Sequence, residues 1–343
     1  MTRKPVLAIL LGDASGIGPE LVAKLAVHGF YNEYCTPIIL GDDRIFEAGL
    51  STFGGSIEHY TISDVSECGK HDGIAVLDTK DQDPALFEMK KTSAYCGKAC
   101  VDTIRNACEL CKQHKIDGFV FGPFNKAALK EGGCKFESEH YLMADIFGVT
   151  GPFGEINMLD GLMTVRTTSH IPMEEVSSHL TVDRILRAIE LGYITVKNTG
   201  VEAPRIGVAA YNPHCGENGA CGHEEIDVIA PAVKLAVNKG WNVTGPYSSD
   251  ILFYRAFNGD FDAVVTMYHD QGQIALKLKG FERGVTIAGG QPYPIVTCAH
   301  GVAYGKAGEG RASTTAFENA VKVASKMCAT GATIFERKTP AAS

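Results

Sequence analysis

Short apolar runs that stop at glycine, proline or aspartate recur along this chain, and stretches of helical spacing separate them. Val6–Leu11 runs into Gly12-Asp13 ahead of a helix opening at Pro19, Thr36–Leu40 stops at Gly41-Asp42-Asp43, and Gly118–Phe121 stops at Gly122-Pro123. Met163–Thr167, Arg205–Ala210 and Ala263–Met267 repeat the pattern. Apolar runs that do not alternate mark strands covered on both faces, which is what crossover helices between parallel neighbours produce. The expected fold is α/β with a largely parallel sheet. In such sheets ligands bind beyond the carboxyl ends of the strands, so chemistry is to be sought just past each run. With 343 residues, 45% of them hydrophobic, two domains with well-buried cores are expected. The sequence has no repeats and no low-complexity linker, and the small polar tail after Arg337 is expected to fray.

A net charge of −8 and the lack of any basic run argue against nucleic acid as the main partner. A small anion is still compatible with this, because a local cluster of lysine, histidine and metal outweighs a diffuse negative field. No stretch approaches the roughly 18 apolar residues of a membrane span. The apolar start leads straight into Gly12-Asp13 and reads as a first core strand rather than a signal peptide, so a cytoplasmic location is expected. Eleven cysteines without framework spacing read as reduced thiols. Cys96, Cys100, Cys108 and Cys111 share the helical stretch Ser93–His114 and are expected to be buried on one helix face rather than to form a zinc or redox site.

Three histidines follow three of the apolar runs: His170 in Thr-Thr-Ser-His-Ile-Pro, His214 in Tyr-Asn-Pro-His-Cys-Gly and His269 in Met-Tyr-His-Asp-Gln-Gly. Three imidazoles at strand ends suit a divalent metal such as zinc and leave coordination positions open for a substrate. Asp270 could orient a liganding imidazole or act as a base, and Lys277 could bind a carboxylate or shuttle a proton. Near the start, Gly12-Asp13-Ala14-Ser15-Gly16-Ile17-Gly18-Pro19 permits a tight strand-to-helix turn but matches neither the dinucleotide fingerprint nor the P-loop. Asn125-Lys126 reads equally as an anion contact or as a helix cap. Glu224 and Glu225, after His223, read as partners of a helix N-terminal dipole.

Taken in order, several of these segments resemble the 4-hydroxythreonine-4-phosphate dehydrogenase family of pyridoxal phosphate synthesis. The matching pieces are Gly12-Asp13 with Gly16-Ile17-Gly18-Pro19-Glu20, Gly122-Pro123 with Lys126, Thr168-x-His170-x-Pro172, Asn212-Pro213-His214, Ser249-Asp250-x-Leu252-Phe253, Tyr268-His269-Asp270-Gln271-Gly272 and His300-Gly301. The resemblance implies a two-domain isocitrate/isopropylmalate dehydrogenase-like fold with largely parallel sheets and an interdomain cleft. The expected split is a cofactor-side domain of residues 1–130 plus 302–343 and a metal, substrate and dimerisation domain of residues 131–301. It also implies a homodimer whose active site is shared between subunits, with no membrane partner. His170, His214 and His269 fall at the family's metal positions, Lys277 at a substrate contact and Asp250 at an active-site carboxylate. NAD or NADP is expected near Gly12, Asp13, Gly290, His300 and Gly301.

The departures from the family concern the substrate. Where the family reads Gly-His-Thr-Glu, this chain reads Ser138-Glu139-His140-Tyr141, so Glu139 and His140 stand at substrate contacts. Thr286 replaces a typical Asn, Ile295 a typical Arg, and Ala299 an Asp. Exchanging Arg for Ile deletes a bidentate anion clamp. The implied reaction is NAD-linked oxidation of a β-hydroxy acid of the 4-phosphohydroxy-threonine type, followed by decarboxylation, with Lys277, Asp270 or Asp250 taking the proton. Two alternatives stand beside it. One is a cis-dihydrodiol carboxylate such as terephthalate dihydrodiol as the substrate, and the other is a catalytically silent metal-binding or regulatory protein.

Overall fold

The first strand sets the frame of one half of the molecule. Leu7, Ala8, Ile9 and Leu10 are all wholly buried, as an apolar run without alternation requires when helices cover both faces. The structure, a computed structural model, describes residues 3–330; the tail after Arg337 lies outside the described residues. The described residues divide into two compact units, one of residues 3–149 and 291–330, the other of residues 150–290.

In the first unit the chain runs β1 (Val6–Leu10), α1 (Gly18–Val27), α2 (Tyr31–Tyr34), β2 (Thr36–Gly41), α3 (Asp43–Thr52), β3 (His59–Ile62), β4 (Ile74–Asp78), α4 (Ala94–Lys112), β5 (Gly118–Phe121), α5 (Lys126–Glu131) and α6 (Glu139–Phe147). In the second it runs β6 (Gly154–Leu159), β7 (Leu162–Arg166), α7 (Met173–His179), α8 (Val182–Asn198), β8 (Arg205–Ala209), α9 (Ala230–Asn238), β9 (Asn242–Tyr247), α10 (Ser249–Phe257), β10 (Ala263–Thr266), α11 (His269–Gly280) and β11 (Val285–Gly289). It then returns to the first unit with β12 (Ile295–Cys298) and α12 (Thr315–Ala329).

The first unit orders its strands β3-β4-β2-β1-β5-β12, every pairing parallel. The chain leaves β1 towards β2 on one side and comes back with β5 on the other, so the order reverses at β1. The second unit orders its strands β11-β6-β7-β10-β8-β9. The pairs from β7 to β9 are parallel, while β6 runs antiparallel to both β7 and β11. The α/β class and the largely parallel sheet are as the sequence implied; β6 is the exception, because it is joined to β7 by the two-residue turn Asp160-Gly161, too short for a crossover helix.

The units change over at 149/150 and 290/291, not at the expected 130/131 and 301/302. Two packings explain this. α6 lies against α4, and β12 pairs with β5, Ile295 opposite Phe119, so both stay with the first unit.

Caps and close approaches position the turns. Pro19 occupies the first turn of α1, where its missing N–H has no intrahelical partner to lose. Asn125 Oδ1 accepts from Ala128 N at 3.0 Å and caps α5. The eleven cysteines are all free. Cys96, Cys100, Cys108 and Cys111 are buried on α4, and burial pushes the Cys108 thiol up to about 12, as expected of small apolar packing residues.

Candidate functional site

In the second unit, β7, β10 and β8 lie side by side and parallel, and each expected metal ligand follows the carboxyl end of one of them. His170 lies four residues beyond the end of β7, His269 opens α11 three residues past β10, and His214 follows β8. Residues separated widely in sequence are thus delivered to one edge of one sheet. The rings of His170 and His269 come within 5.4 Å, centroid to centroid. Asp270 Oδ1 lies 2.7 Å from His269 Nδ1, the arrangement in which a carboxylate fixes an imidazole's orientation and leaves Nε2 for a ligand.

His214 is carried differently. Residues 214–218 form a run of positive φ, from 45° at Glu217 to 72° at Gly216, and left-handed backbone costs of order 1–2 kcal/mol at each non-glycine position. A Cβ at Gly216 would meet Glu225 Oε2 and Gly222 O at 2.8 Å. Among the described residues, the three imidazoles do not form a set whose nitrogens all lie within 4.8 Å of one another.

The turn is held by two carboxylates for which the sequence indicated only part of the role. Glu225, 3% exposed, accepts from the backbone N–H of Tyr211 at 2.8 Å and of Asn212 at 2.7 Å. Glu224 accepts from Asn212 Nδ2 and Ser177 Oγ, both at 2.7 Å, and the Ser177 bond leads in holding its carboxyl below the usual range. They bind the His214 turn from the N-terminus of the helix that follows His223, where they also complement its dipole. A buried glutamate facing a Pro-His-Cys-Gly turn was the signal available.

The other candidates of this unit are placed as follows. Asp250 is exposed in the first turn of α10, with Ile251 N donating to its Oδ1 at 2.9 Å. Lys277 is exposed two turns along α11 from His269. Thr286, buried on β11, accepts from Asn157 Nδ2 at 3.0 Å, and Asn157 Oδ1 in turn accepts from Gln273 Nε2. Gly290 has φ +79°, and a Cβ there would lie 2.2 Å from Pro152 O, so its place has a local backbone reason.

In the first unit the residues expected on the cofactor side come together at the carboxyl end of β1, where the strand order reverses and where open α/β sheets bind ligands. Gly12 has φ +78°, and a Cβ there would be 2.6 Å from Gly122; only glycine lets the turns after β1 and β5 touch. Asp13 N donates to Pro123 O at 3.0 Å and Ile17 N to Val302 O at 3.1 Å, which draws the Gly12–Gly18 turn against the segment after His300-Gly301. Asn125 Nδ2 donates to Tyr304 OH at 2.8 Å, and Ser15 Oγ lies 3.3 Å from the same hydroxyl. Asn125 therefore both caps its helix and binds the site. Tyr304 was missed, since nothing in its local sequence marks it.

Asp13 is wholly buried. Its Oδ1 accepts from Ser15 N at 2.9 Å and Ser15 Oγ at 2.7 Å, while Oδ2 has no partner among the described residues. Burial raises its carboxyl above the usual value, against the opposing bonds from Ser15 and the influence of the nearby Tyr304 hydroxyl. His300 Nδ1 donates to Gly301 O at 3.1 Å; burial leads in lowering its pKa, Lys306 adds to that and the Gly301 bond opposes it. Its imidazole is thereby favoured in the neutral form. Glu139 and His140 open α6 and are buried, with His140 Nε2 3.8 Å from Glu139 Oε1. Ile295 is wholly buried on β12.

A family model described as "Pyridoxal phosphate biosynthetic protein PdxA" matches residues 33–324. A Pseudomonas aeruginosa protein provisionally named 4-hydroxythreonine-4-phosphate dehydrogenase 2 is 40% identical, with 94% of this chain and 97% of its own covered. The D-threonate 4-phosphate dehydrogenase of Cupriavidus necator is 36% identical over 93% of this chain and 96% of its own. Among solved structures, a 4-hydroxythreonine-4-phosphate dehydrogenase from Klebsiella pneumoniae superimposes with a TM-score of 0.84 at 30% identity, covering 96% of this chain and 99% of that one.

Proposed function

Because this chain belongs to the pyridoxal phosphate biosynthetic protein PdxA family, we propose that it is an NAD-linked, metal-dependent dehydrogenase acting on the secondary alcohol of a small phosphorylated hydroxy acid. The observation that carries this reading is the delivery of His170, His214 and His269 to the ends of three adjacent parallel strands, with two of the rings 5.4 Å apart. The donor set suits the metal: neutral imidazoles, one of them oriented by a carboxylate, match zinc and its first-row neighbours. When bound, such an ion supplies Lewis acidity that lowers the pKa of a hydroxyl held beside it.

The chain's own groups divide the remaining work. Asp270 is engaged with His269, so of the three candidate bases it is best placed to hold the imidazole. Lys277 and Asp250 remain as acceptors of the alcohol proton. On the cofactor side, the buried Oδ2 of Asp13 offers an acceptor at the reversal of strand order. The Gly12–Gly18 turn and His300-Gly301 would hold NAD or NADP there. Oxidation beside a carboxylate yields a β-keto acid, which would then lose carbon dioxide. The enzyme would act in the cytoplasm as a homodimer with a shared site; Ile251 and Tyr254 of α10 and Ile274 and Leu278 of α11 are the exposed apolar side chains that support association.

For the substrate we favour a D-threonate 4-phosphate-like acid over 4-phosphohydroxy-threonine. The preference follows the D-threonate 4-phosphate dehydrogenase of Cupriavidus necator, 36% identical over 93% of this chain; Ile295 and Thr286 in place of Arg and Asn would weaken either phosphorylated acid, by about 1.5–3 kcal/mol for one lost charge-assisted hydrogen bond. The test is NADH formation with zinc on D-threonate 4-phosphate, 4-phosphohydroxy-threonine and a cis-dihydrodiol carboxylate. The expected result is fastest turnover of the first, abolished by His170→Ala or His269→Ala. Equal or faster turnover of 4-phosphohydroxy-threonine would overturn the substrate preference, and silence across the panel would return the chain to the catalytically silent reading.

A further inference from the structure

The three histidine-bearing turns of the second unit lie beyond the last backbone ladder pairs. β10 pairs with β7 as far as Thr266 and Arg166, and with β8 as far as Val265 and Val208. Past these points only a few backbone bonds continue, among them Thr167 N to Thr266 O at 2.8 Å, and the remaining buried backbone groups still need partners. One side chain meets much of that need. Gln271 Oε1 accepts from Met267 N at 2.7 Å. Its Nε2 donates to Ala210 O and to Ser249 Oγ, both at 2.7 Å.

These contacts use the amide's acceptor and both of its donors, and each reaches a different segment. Met267 lies two residues before His269, and Ala210 lies four before His214. Ser249 opens α10, one residue before Asp250, and its Oγ also donates to Ala210 O at 3.3 Å. The fourth segment joins through Thr168, whose Oγ1 donates to Met267 O at 2.7 Å and whose N–H donates to the same oxygen at 3.1 Å. A continuous hydrogen-bonded path thus runs from the His170 turn through Met267 and Gln271 to the His214 turn and α10.

Resting on the metal reading above, we infer that Gln271 is a positioning residue that sets the spacing of His170, His214 and His269. A side-chain amide suits the task because it presents donors and an acceptor on one rigid plane. A carboxylate at the same place would keep the bond from Met267 N but face the Ala210 carbonyl with like charge. Methionine has a similar length and makes none of the three bonds.

The experiment uses the full-length protein and cobalt(II) as probe, reading its affinity by chelator competition and its geometry by visible absorption. For Gln271→Met, the dissociation constant is expected to rise roughly 10–100-fold, the usual range for partners of ligands, with an altered absorption band. Thr168→Val, which removes one bond and keeps the backbone contact, is expected to shift affinity severalfold in the same direction, and it decides the matter if Gln271→Met does not fold. His170→Ala and His269→Ala are run beside them. If those two abolish binding while Gln271→Met and Thr168→Val match the unsubstituted protein in affinity and spectrum, the positioning role is overturned and the metal reading stands. If the histidine variants bind cobalt like the unsubstituted protein, the metal reading falls and the positioning role falls with it.

Discussion

Asp13 holds two bonds from Ser15 on one oxygen and presents the other, buried, without a partner among the described residues. Its raised carboxyl pKa has a stability consequence. The folded chain holds this proton more tightly than the unfolded chain does. The contribution to stability is therefore fullest below the ordinary value of 3.8 and is lost as pH rises through the folded value. Asp13→Asn is expected to melt higher than the unsubstituted protein at pH 7, by roughly 2–4 °C, with the gap closing towards pH 4. NAD affinity should fall in the same variant, since the acceptor is lost. Thermal melts at the two pH values with an NAD titration check this, and equal melting at pH 7 would show that burial is compensated. Strain tolerated at a site for the sake of function is a common trade. At this scale much was legible: glycines, histidines and Asp270 stand out by residue type and neighbours. What Gln271, Glu225 and Tyr304 bind was not, because their partners are backbone groups or side chains tens to hundreds of residues away.

Among the elements, α4 shows how a helix is placed by what it lacks. A Cβ on Gly97 would sit 1.7 Å from the Ala128 carbonyl oxygen, so α4 and α5 approach at a distance only glycine permits. Gly97→Ala is expected to lower stability by at least about 1–3 kcal/mol, the range for overpacking. In urea denaturation this would appear as a lower midpoint at unchanged slope. An unchanged midpoint would mean that α5 yields without cost. The strands with unbroken apolar runs, β1, β2, β5, β7, β8 and β10, were legible because burial on both faces leaves no polar alternation. β3, β4, β6, β9, β11 and β12 were not marked. β3 and β9 are edge strands, and Ile295–Cys298 and Gly154–Leu159 carry polar or glycine positions that dilute the pattern.

For the whole molecule, the metal reading carries a thermodynamic signature separate from turnover. Zinc that binds only the folded state stabilises it by about 2.7 kcal/mol at a hundredfold excess over Kd. Melting should therefore rise with zinc, fall back with a chelator, and respond to neither in His170→Ala. A variant that still responds would move the ion to other ligands. The −8 net charge would not oppose an anionic substrate, because an imidazole-bound cation and Lys277, if they serve as proposed, would act locally while the diffuse field is screened within about 8 Å at physiological salt.

The α/β class, the reduced cysteines of α4, the family and the list of chemistry-bearing turns were all determined by the sequence alone. Each depends on local periodicity, residue type or motif order, which chain neighbours carry. Tertiary structure decided which turns meet. The order β7-β10-β8 brings three histidines to one sheet edge, and the reversal at β1 gathers Gly12, Asn125 and Tyr304. The backbone beyond the ladders was left to Gln271 and Glu225. Strand order and register arise from pairings between residues far apart in the chain, and no local pattern encodes which distant strand will be the neighbour.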